Sequence, residues 1–524
     1  MNVIDRAISA MSPKAGFRRL VDRRRIQILN SGYSGGGANT SKQWSKGWRS
    51  SSGSAREDIS DNLYTLRQRC RDLYMNAPLG RAPISRIMIN AIGTGLVLRP
   101  NPDADLLGLD RKTVSDWTRR VNREWALWAG TTSCDAAGLN TFAELQQVAL
   151  LSWLQNGEAF ALLPYIDRPG ELYPMKVRLL EADRVCDPNT AGVQNLALGG
   201  ATFNGRILDR GIEIGDDGQV LAYHVARWHP ASMAPIGKSR NVWARIAPIG
   251  DTGRRNILHL VVHERAEQYH GVPFLAPVVE MLKQLDRYNE AELLAAVVAG
   301  MFTVFVKSTT PDNPLGETVP IEHQVDEDNP NTYELGGGAV IGLGENEDIS
   351  VANPGRPNTA FEGFVRAVLQ SIGAALNIPY EVMVNSYNSS YSASRAALLQ
   401  AWAYFRMWRR WTADDFANPV YCEWLTDAIL MGRIDAPGYF DDPVIRAAWQ
   451  RADWHGPSAG QVDPVKEVTA AKVRVEEGFS TRERETAELT GMDWDSNMDR
   501  RFAEERRTND LSARTPAAGG AGNG

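Results

Sequence analysis

The sequence predicts an α+β protein in which helices flank a separate stretch of strands. Apolar residues recur at helical spacing before residue 156 and again after residue 273. Between Glu158 and His263 the pattern changes to short alternating runs separated by Asp-Asp-Gly and Pro-Gly turns, which is typical of strands. With 524 residues, 43% of them hydrophobic, the chain is long enough to form several domains.

The first element is a basic arm. Residues 1–30 carry a cluster of arginines, and residues 31–54 are rich in Gly and Ser. This composition predicts either a flexible arm or one that becomes ordered when it binds a partner protein or DNA.

The next elements are helices, predicted over 57–75, 80–92, 111–129 and 141–156. In the third helix Trp117, Val121, Trp125 and Trp128 recur at helical spacing. Such an aromatic stripe predicts a core face rather than a cofactor site. The strands that follow predict a mixed β region packed on these helices.

The second half of the chain alternates helices with a small insert. An apolar-striped helix is predicted from Pro273 to Gly300, and a second one carries apolar residues at helical spacing from Phe361 to Leu376. Between them lie short strands, at Phe302–Lys307, 333–335 and 339–341, within a segment rich in Pro, Asn and Gly. The sequence therefore predicts a helix, a small β insert and a helix.

An uncharged polar loop, Asn385 to Ser394, follows a short apolar turn and leads into a long helix. That helix is predicted from about Ser392 to Leu430, with a kink at Pro419 because proline removes one backbone donor. Asn, Ser and Tyr side chains can contact a moving polyanion such as a nucleic acid without binding it tightly, whereas Lys and Arg side chains would bind its phosphates. Alternatively, the loop is an ordinary surface loop that ends in a helix cap.

Composition and motifs argue against several function classes. The net charge of −6, from 57 basic and 63 acidic residues, disfavours a protein that coats DNA. The longest apolar run, Leu293 to Val306, is shorter than the roughly 20 residues that a membrane-spanning helix needs, and no cleavable signal is visible. The cysteines lack paired spacing and predict reduced thiols of a protein made in a cytoplasm, at Cys70, Cys134, Cys186 and Cys422.

No motif predicts an enzyme. The glycine-rich run Gly336 to Glu345 lacks the Gly-Lys-Ser/Thr ending of a phosphate-binding loop. His259 and His263 are four apart in a β-branched run, where they would stand about 13 Å apart, so a metal site is disfavoured. No G-x-S-x-G occurs. We therefore expect no catalytic residues, no metal and no cofactor.

Four segments, in the same order and at similar spacing, resemble the lambda-like family of portal proteins of tailed bacteriophages. They are Ala55–Thr65 with Arg71–Ile87, then Ile257–Asp286, then Asn377 to Trp411 with its N-S-Y-N-S-S-Y-S-A-S-R-A loop, and finally Ala452–Glu485. The resemblance covers roughly residues 50 to 500. It implies a ring-forming portal fold with a helical and β wing, a two-helix stem, a small β clip insert, a long kinked helix and a helical crown.

The resemblance also implies a division of the chain. The expected parts are a flexible arm (1–55), wing (56–271), first stem helix (272–300), clip (301–356), second stem helix (357–377), tunnel loop region (378–394), long kinked wing helix (395–439), crown (440–506) and disordered tail (507–524). Residues 308–356 depart most from the family pattern, so contacts of the clip are the least defined part of this division.

The function implied is that of a channel at the unique capsid vertex, through which double-stranded DNA is packaged and later ejected. The implied partners are further copies of the chain in a ring, usually a dodecamer, the terminase large subunit, the major capsid or scaffold protein and the head–tail adaptor. No membrane is implied, and the location is the virion after assembly in the host cytoplasm. Another head or neck ring protein is the alternative, and a hydrolase that uses His259 and His263 is a more distant one.

The resemblance assigns site residues as well. The expected tip of the tunnel loop, next to DNA, consists of Tyr387, Asn388, Ser389, Ser390 and Tyr391. Four arginines that follow are expected to line the channel or to form ion pairs between subunits, the second role being favoured in an oligomer: Arg395, Arg406, Arg409 and Arg410.

Overall fold

The computed structural model describes residues 53–188, 193–196, 200–233, 236–239, 241–301, 306–307, 342–343, 361–387, 390–458, 464–490 and 494–514, and five positions before residue 22. The chain divides into two units, Met1–Ser54 and Ala55–Gly524, of which only the second is described at length. Most of the predicted arm and clip, with Asn388 and Ser389 of the loop, therefore lie outside the described residues.

The helices of the second unit are labelled in chain order. They are α1 (Leu63–Asn76), α2 (Pro78–Ala91), α3 (Ala104–Leu107), α4 (Arg111–Ala129), α5 (Phe142–Asn156), α6 (Val279–Met301), α7 (Phe361–Ala375), α8 (Tyr380–Val384), α9 (Tyr391–Thr412), α10 (Asn418–Leu430), α11 (Pro443–Trp449), α12 (Pro464–Glu476), α13 (Arg482–Thr490) and α14 (Trp494–Arg514). The predicted early helices are present within a few residues of their expected ends, apart from a π-helical turn at Arg56–Ser60.

The strands lie in separate small sheets. They are β1 (Val97–Pro100), β2 (Glu158–Leu162), β3 (Arg178–Leu180), β4 (Val193–Leu196), β5 (Gly200–Phe203), β6 (Arg206–Asp209), β7 (Ile212–Ile214), β8 (Val220–Ala226), β9 (Trp243–Ile246), β10 (Ile257–Val261), β11 (Val306–Lys307), β12 (Gly342–Leu343) and β13 (Ala452–His455). Strands β4 to β9 form a six-stranded antiparallel meander, and β10, β2 and β3 form an antiparallel sheet with β2 in the centre. Strands β11 and β12 pair in parallel.

The fold class is α+β, as the sequence predicted. The aromatic stripe of α4 is buried in the main core, with Trp125 packed edge-on against Phe142 and Trp424. Helix α4 begins at Asp110, which accepts a hydrogen bond from the Thr113 N–H, because an acidic residue satisfies an orphan donor there. A reciprocal capping box between Thr141 and Glu144 starts α5.

The C-terminal part differs from the prediction. Residues 440–506 were expected to be helical, but Ala452–His455 forms β13 and pairs with β1 in antiparallel register. Trp449 of α11 packs against Trp117 of α4, so this segment belongs to the main core. Helix α14 continues to Arg514, where the sequence predicted a disordered tail from residue 507; ion pairs one turn apart, such as Arg501 with Glu505, support it.

The long helix is interrupted close to the predicted position. Helix α9 passes into a π-helical turn, Ala413–Ala417, and α10 then starts with Pro419 in its first turn. Because Pro419 has no N–H, the carbonyl of Asp415 cannot receive the usual hydrogen bond from four residues ahead. The change of helical register just before Pro419 is therefore consistent with the missing donor.

Candidate functional site

The loop between α8 and α9 is held at both ends by ordinary helix-end chemistry. Helix α8 ends at Asn385, whose left-handed backbone (φ 55°) suits asparagine, and the Ser386 N–H donates to the Glu381 carbonyl at 3.1 Å. Helix α9 begins at Ser390, whose hydroxyl accepts from the Ala393 N–H at 3.4 Å. The loop is thus a short excursion between two fixed helix ends.

The preceding turn is also tightly built. The Ile378 N–H donates to the Gly373 carbonyl at 2.9 Å, while Asn377 adopts a left-handed conformation (φ 55°). A Cβ at Gly373 would lie 2.5 Å from the Ile378 carbonyl oxygen, so this turn requires glycine. Ile378 is fully buried, and the Arg366 guanidinium lies over the Tyr380 ring. These contacts anchor α8 to α7.

The structure describes part of the predicted loop tip. The side chain of Tyr387 is about half exposed, at 47%, and Ser390 is exposed although its hydroxyl caps α9. Asn388 and Ser389 lie outside the described residues, and for Tyr391 only its place at the start of α9 is described. Asp and Glu, like Lys and Arg, are absent from residues 385–394.

The four predicted arginines have different surroundings on α9. Arg395 forms an ion pair with Glu467 of α12 at 3.7 Å, and Arg410 pairs with Asp414 one turn on at 2.5 Å. Arg406 is exposed and forms no hydrogen bond or ion pair within the described residues. An adjacent face of α9 is buried in the main core through Phe405, among others.

Arg409 is bound within its own chain. Its Nε donates to the Ala91 carbonyl at 2.9 Å, and its Nη2 donates to the carbonyls of Asn90 at 3.0 Å and Pro457 at 2.5 Å. The first two carbonyls end α2, where a cation is favoured by the helix dipole. Burial, with the nearby charge of Arg406, lowers the pKa of Arg409 to about 10. The sequence did not indicate these three hydrogen bonds.

A cleft of about 920 Å³ opens beside these arginines. Arg395, Arg406 and Arg409 of α9 lie along one side, and side chains of α12 and α13 lie along the other. Trp402 and Trp454 contribute apolar lining. Arg410 is not part of this cleft.

A second cluster, which the sequence analysis missed, surrounds the fully buried Glu158 at the start of β2. Its carboxylate accepts from His259 Nε2 at 2.9 Å, from His270 Nδ1 at 2.9 Å, from the Gly271 N–H at 3.2 Å and from the Arg67 guanidinium. Although burial by itself raises the pKa of Glu158, the charges of His270 and Arg67 outweigh it and hold that pKa well below its usual range.

The pKa values of the two histidines in this cluster are shifted in opposite directions. Burial lowers the pKa of His259, which is consistent with a neutral ring that donates to Glu158 and accepts from the Tyr223 hydroxyl at 3.3 Å. For His270, burial is outweighed by Glu158, which raises its pKa, and its Nε2 donates to the Asp209 carbonyl at 3.0 Å. His270 is therefore the cationic partner of the pair.

Arg67 and Arg71 extend this cluster to Asp183. Arg67 Nη1 lies 3.1 Å and Arg71 Nη1 lies 2.5 Å from the Asp183 carboxylate. The cluster thus joins α1, the end of α5, β2 and β10 through buried charge. Its members come from distant parts of the chain, and the only local signal is a glutamate that opens the apolar run at 158–163.

The histidine pair singled out in the sequence does not form a site of its own. His259 is buried against Glu158, whereas His263 follows the end of β10. Within the described ranges, no group of three or more His, Cys, Asp or Glu side chains is placed to hold a metal ion. All four cysteines are free thiols. None of the described helices is long and apolar enough to cross a membrane.

Comparison with known proteins gives consistent matches. A family model described as phage portal protein, lambda family, matches residues 41–409. The chain is 24% identical to Portal protein B of Escherichia phage lambda, covering 87% of this chain and 86% of that protein. It is 25% identical to the portal protein of Escherichia phage N15, with 87% of each chain covered.

Among solved structures, the chain is similar to one described as the neck of a native GTA particle computed with C12 symmetry. That similarity covers 82% of this chain and 93% of the other, with 14% identity and a TM-score of 0.38.

Proposed function

We propose, from the premise that the chain belongs to the lambda family of phage portal proteins, that it forms the channel through which double-stranded DNA enters and leaves the capsid. Phage portal proteins are structural proteins of the virion, and the ring is made of copies of one chain. In this proposal the ring has twelve copies and is assembled in the host cytoplasm. It occupies the unique capsid vertex.

We assign the proposed parts of the ring to the described elements as the family resemblance implies. The sheets and early helices form the wing, α6 and α7 form the stem, and α9 to α10 form the long kinked wing helix. The clip lies between the stem helices, in residues 301–356, and α12 to α14 form the crown. The rings of Phe361 and Phe364 pack on Tyr288, which supports a paired arrangement of α6 and α7.

The observation that carries the proposal for the channel is the construction of the loop between α8 and α9. Its ends are fixed by helix caps, its tip is polar, and it has no charge with which to bind phosphates. A loop of this kind can touch a passing duplex and align it without holding it. Tyr387 to Tyr391 are the proposed DNA-proximal residues.

The proposed partners are those that meet the two openings of such a channel. The terminase large subunit binds at the clip during packaging, and the head–tail adaptor takes that place afterwards. The major capsid or scaffold protein surrounds the wing. For Arg395 and Arg406 of α9, inter-subunit contact is the favoured role over channel lining. Arg409 already has three carbonyl partners and Arg410 already pairs with Asp414, each within its own chain.

Electron microscopy of the purified protein tests this proposal. We expect class averages that show rings with a central channel and twelve-fold symmetry. A uniform population of compact monomers or dimers, unchanged when capsid and scaffold proteins are added, would contradict it.

A further inference from the structure

The 920 Å³ cleft beside α9 has an unequal charge balance. Its lining contains seven Lys and Arg side chains and five Asp and Glu side chains. Four of the cations are paired with four of the carboxylates, as in Arg474 with Glu485 at 2.6 Å and Arg395 with Glu467 at 3.7 Å. Lys466 and Asp453 balance each other in formal charge, so the excess positive charge belongs to Arg406 and Arg409.

These two arginines lie together without a carboxylate. Arg409 donates only to backbone carbonyls, and Arg406 has neither a hydrogen bond nor an ion pair within the described part of the chain. Arg406 is close enough for its charge to disfavour the protonated form of Arg409. An anion beside both guanidiniums would relieve this repulsion and supply Arg406 with the acceptor that it lacks.

We propose that the cleft receives a carboxylate side chain of a neighbouring copy of this chain, with Arg406 as the residue that binds it. This inference rests on the proposed ring and names one of its contacts. A carboxylate is planar and matches the fork of a guanidinium, which allows two parallel hydrogen bonds. The chain supplies such groups in excess, since it has 63 acidic against 57 basic residues.

The same cleft is poorly suited to DNA. Its carboxylates offset all but two of its cations, whereas a duplex carries a negative charge about every 1.7 Å along its axis, so the excess charge of the cleft matches only a small part of what a duplex presents. One carboxylate, by contrast, matches the local excess of charge. Trp402 and Leu398 in the lining would exclude water from such a contact and strengthen it.

The test compares ring assembly of the full-length wild type, Arg406→Gln, Arg406→Lys and the control Arg410→Gln. Arg410 lies one turn further along α9, is 78% exposed in its side chain and pairs with Asp414. Ring formation is followed by native mass spectrometry over a range of subunit and salt concentrations. Circular dichroism verifies that each variant is folded.

We expect Arg406→Gln to raise the subunit concentration needed for half-assembly about tenfold, with Arg406→Lys recovering part of the loss. Arg410→Gln should assemble like the wild type. The difference between wild type and Arg406→Gln should shrink at high salt because the contact is ionic.

A wild-type ring together with unchanged assembly of Arg406→Gln would overturn the inference alone. If the Arg406→Gln ring then also bound a short DNA duplex more weakly, measured by fluorescence anisotropy, Arg406 would be assigned to DNA. Failure of the wild type to form any ring would instead contradict the proposed function, and this inference with it.

Discussion

At the scale of single residues, Glu158 shows how one buried charge can join several elements. Its carboxylate is inaccessible to solvent and receives hydrogen bonds from Arg67, His259 and His270, which lie on α1, on β10 and in the segment before α6. Removing one partner from such a cluster leaves the others buried without compensation. Folding of the region around β2 therefore depends on this group.

We expect Glu158→Gln to lower the free energy of unfolding by about 3 to 5 kcal/mol, because Arg67 and protonated His270 would lose their negative partner. Urea unfolding followed by circular dichroism measures the change. Glu488→Gln is the control: Glu488 is 51% exposed in its side chain and pairs with Arg484 one turn away. The control should change stability by less than about 0.5 kcal/mol. Equal, small effects of both substitutions would contradict this account of Glu158.

At the scale of elements, the π-helical turn at Ala413–Ala417 contains a carboxylate in an unfavourable place. Burial, and then the charge of Asp414, raise the pKa of Asp415 to about 6. No hydrogen-bond donor or cation is assigned to Asp415 within the described residues, whereas Asp414 pairs with Arg410. The turn therefore carries an energetic cost at neutral pH.

The raised pKa of Asp415 determines whether the free energy of unfolding rises or falls with pH. An unfolded Asp titrates near pH 4, so between about pH 4 and pH 6 the folded protein binds more protons than the unfolded one, and stability falls as the pH rises. We expect Asp415→Asn to raise the free energy of unfolding by about 1 to 3 kcal/mol at pH 7 and to have little effect at pH 4. Urea unfolding at both pH values measures the difference.

Asp414→Asn is the matched control for Asp415. It removes a repulsion from Asp415 but also breaks the exposed pair with Arg410, so its net effect should stay within about 0.5 kcal/mol. A destabilising effect of Asp415→Asn at pH 7 would mean that the carboxylate has a stabilising partner in the protein.

The second prediction at the scale of elements concerns Arg409, which connects α9, the end of α2 and the segment after β13. Its guanidinium joins α9 to the end of α2 and to Pro457, directly after β13. A Cβ at Gly456 would lie 2.6 Å from Arg409 Nε, so the chain approaches this side chain as closely as glycine allows. These hydrogen bonds therefore act as a clamp, which holds the segment after β13 against α2 and α9.

We expect Arg409→Gln to destabilise the protein by about 2 to 3 kcal/mol, since buried carbonyls would lose charged donors. Hydrogen exchange should also become faster at β1 and β13, which the clamp holds in place. Arg410→Gln, which alters an exposed pair one residue along, should change neither measurement appreciably. If hydrogen exchange at β13 stays the same in Arg409→Gln, the clamp is not what fixes that strand.

Helices were the elements that the sequence predicted best. The spacing of Trp117, Val121, Trp125 and Trp128 is a local property of α4, and these side chains are buried as expected. Strand β13 was missed because its pairing with β1 joins residues about 350 positions apart and has no local periodic signal. The Glu158 cluster was missed for the same reason, as its partners are brought together only by the fold.

At the scale of the whole molecule, the family could be identified from the sequence because the resembling segments extend along most of the chain. The family match then covers residues 41–409, which include α6, α7 and the loop between α8 and α9. The roles of single residues are less accessible, since a channel lining or a subunit contact arises only when several copies assemble. Arg409 adds a second reason, because even its contacts within one chain had no signature in the sequence.

The last prediction concerns the loop between α8 and α9 in the assembled ring. Tyr387 is 47% exposed and lies just after α8, so a substitution there alters the loop tip without removing a helix cap. In the proposed ring, Tyr387→Lys or Asn388→Lys would place one new cation per copy around the channel. Each cation can release counterions from a DNA phosphate, so the added charges would together hold the duplex in place. We expect rings to assemble normally and DNA-filled particles to fall about tenfold.

The measurement is the yield of DNA-filled heads by electron microscopy, with ring assembly checked by native mass spectrometry. Tyr387→Phe keeps the ring of the side chain and adds no charge, so it should package normally. Tyr64→Lys adds the same charge at an exposed position of α1, with 50% of Tyr64 accessible, and it should also leave packaging unchanged. If the Tyr387→Lys and Asn388→Lys rings package and retain DNA like the wild type, the loop does not face the duplex. If Tyr64→Lys impairs packaging equally, the effect follows from net charge rather than from a position in the channel.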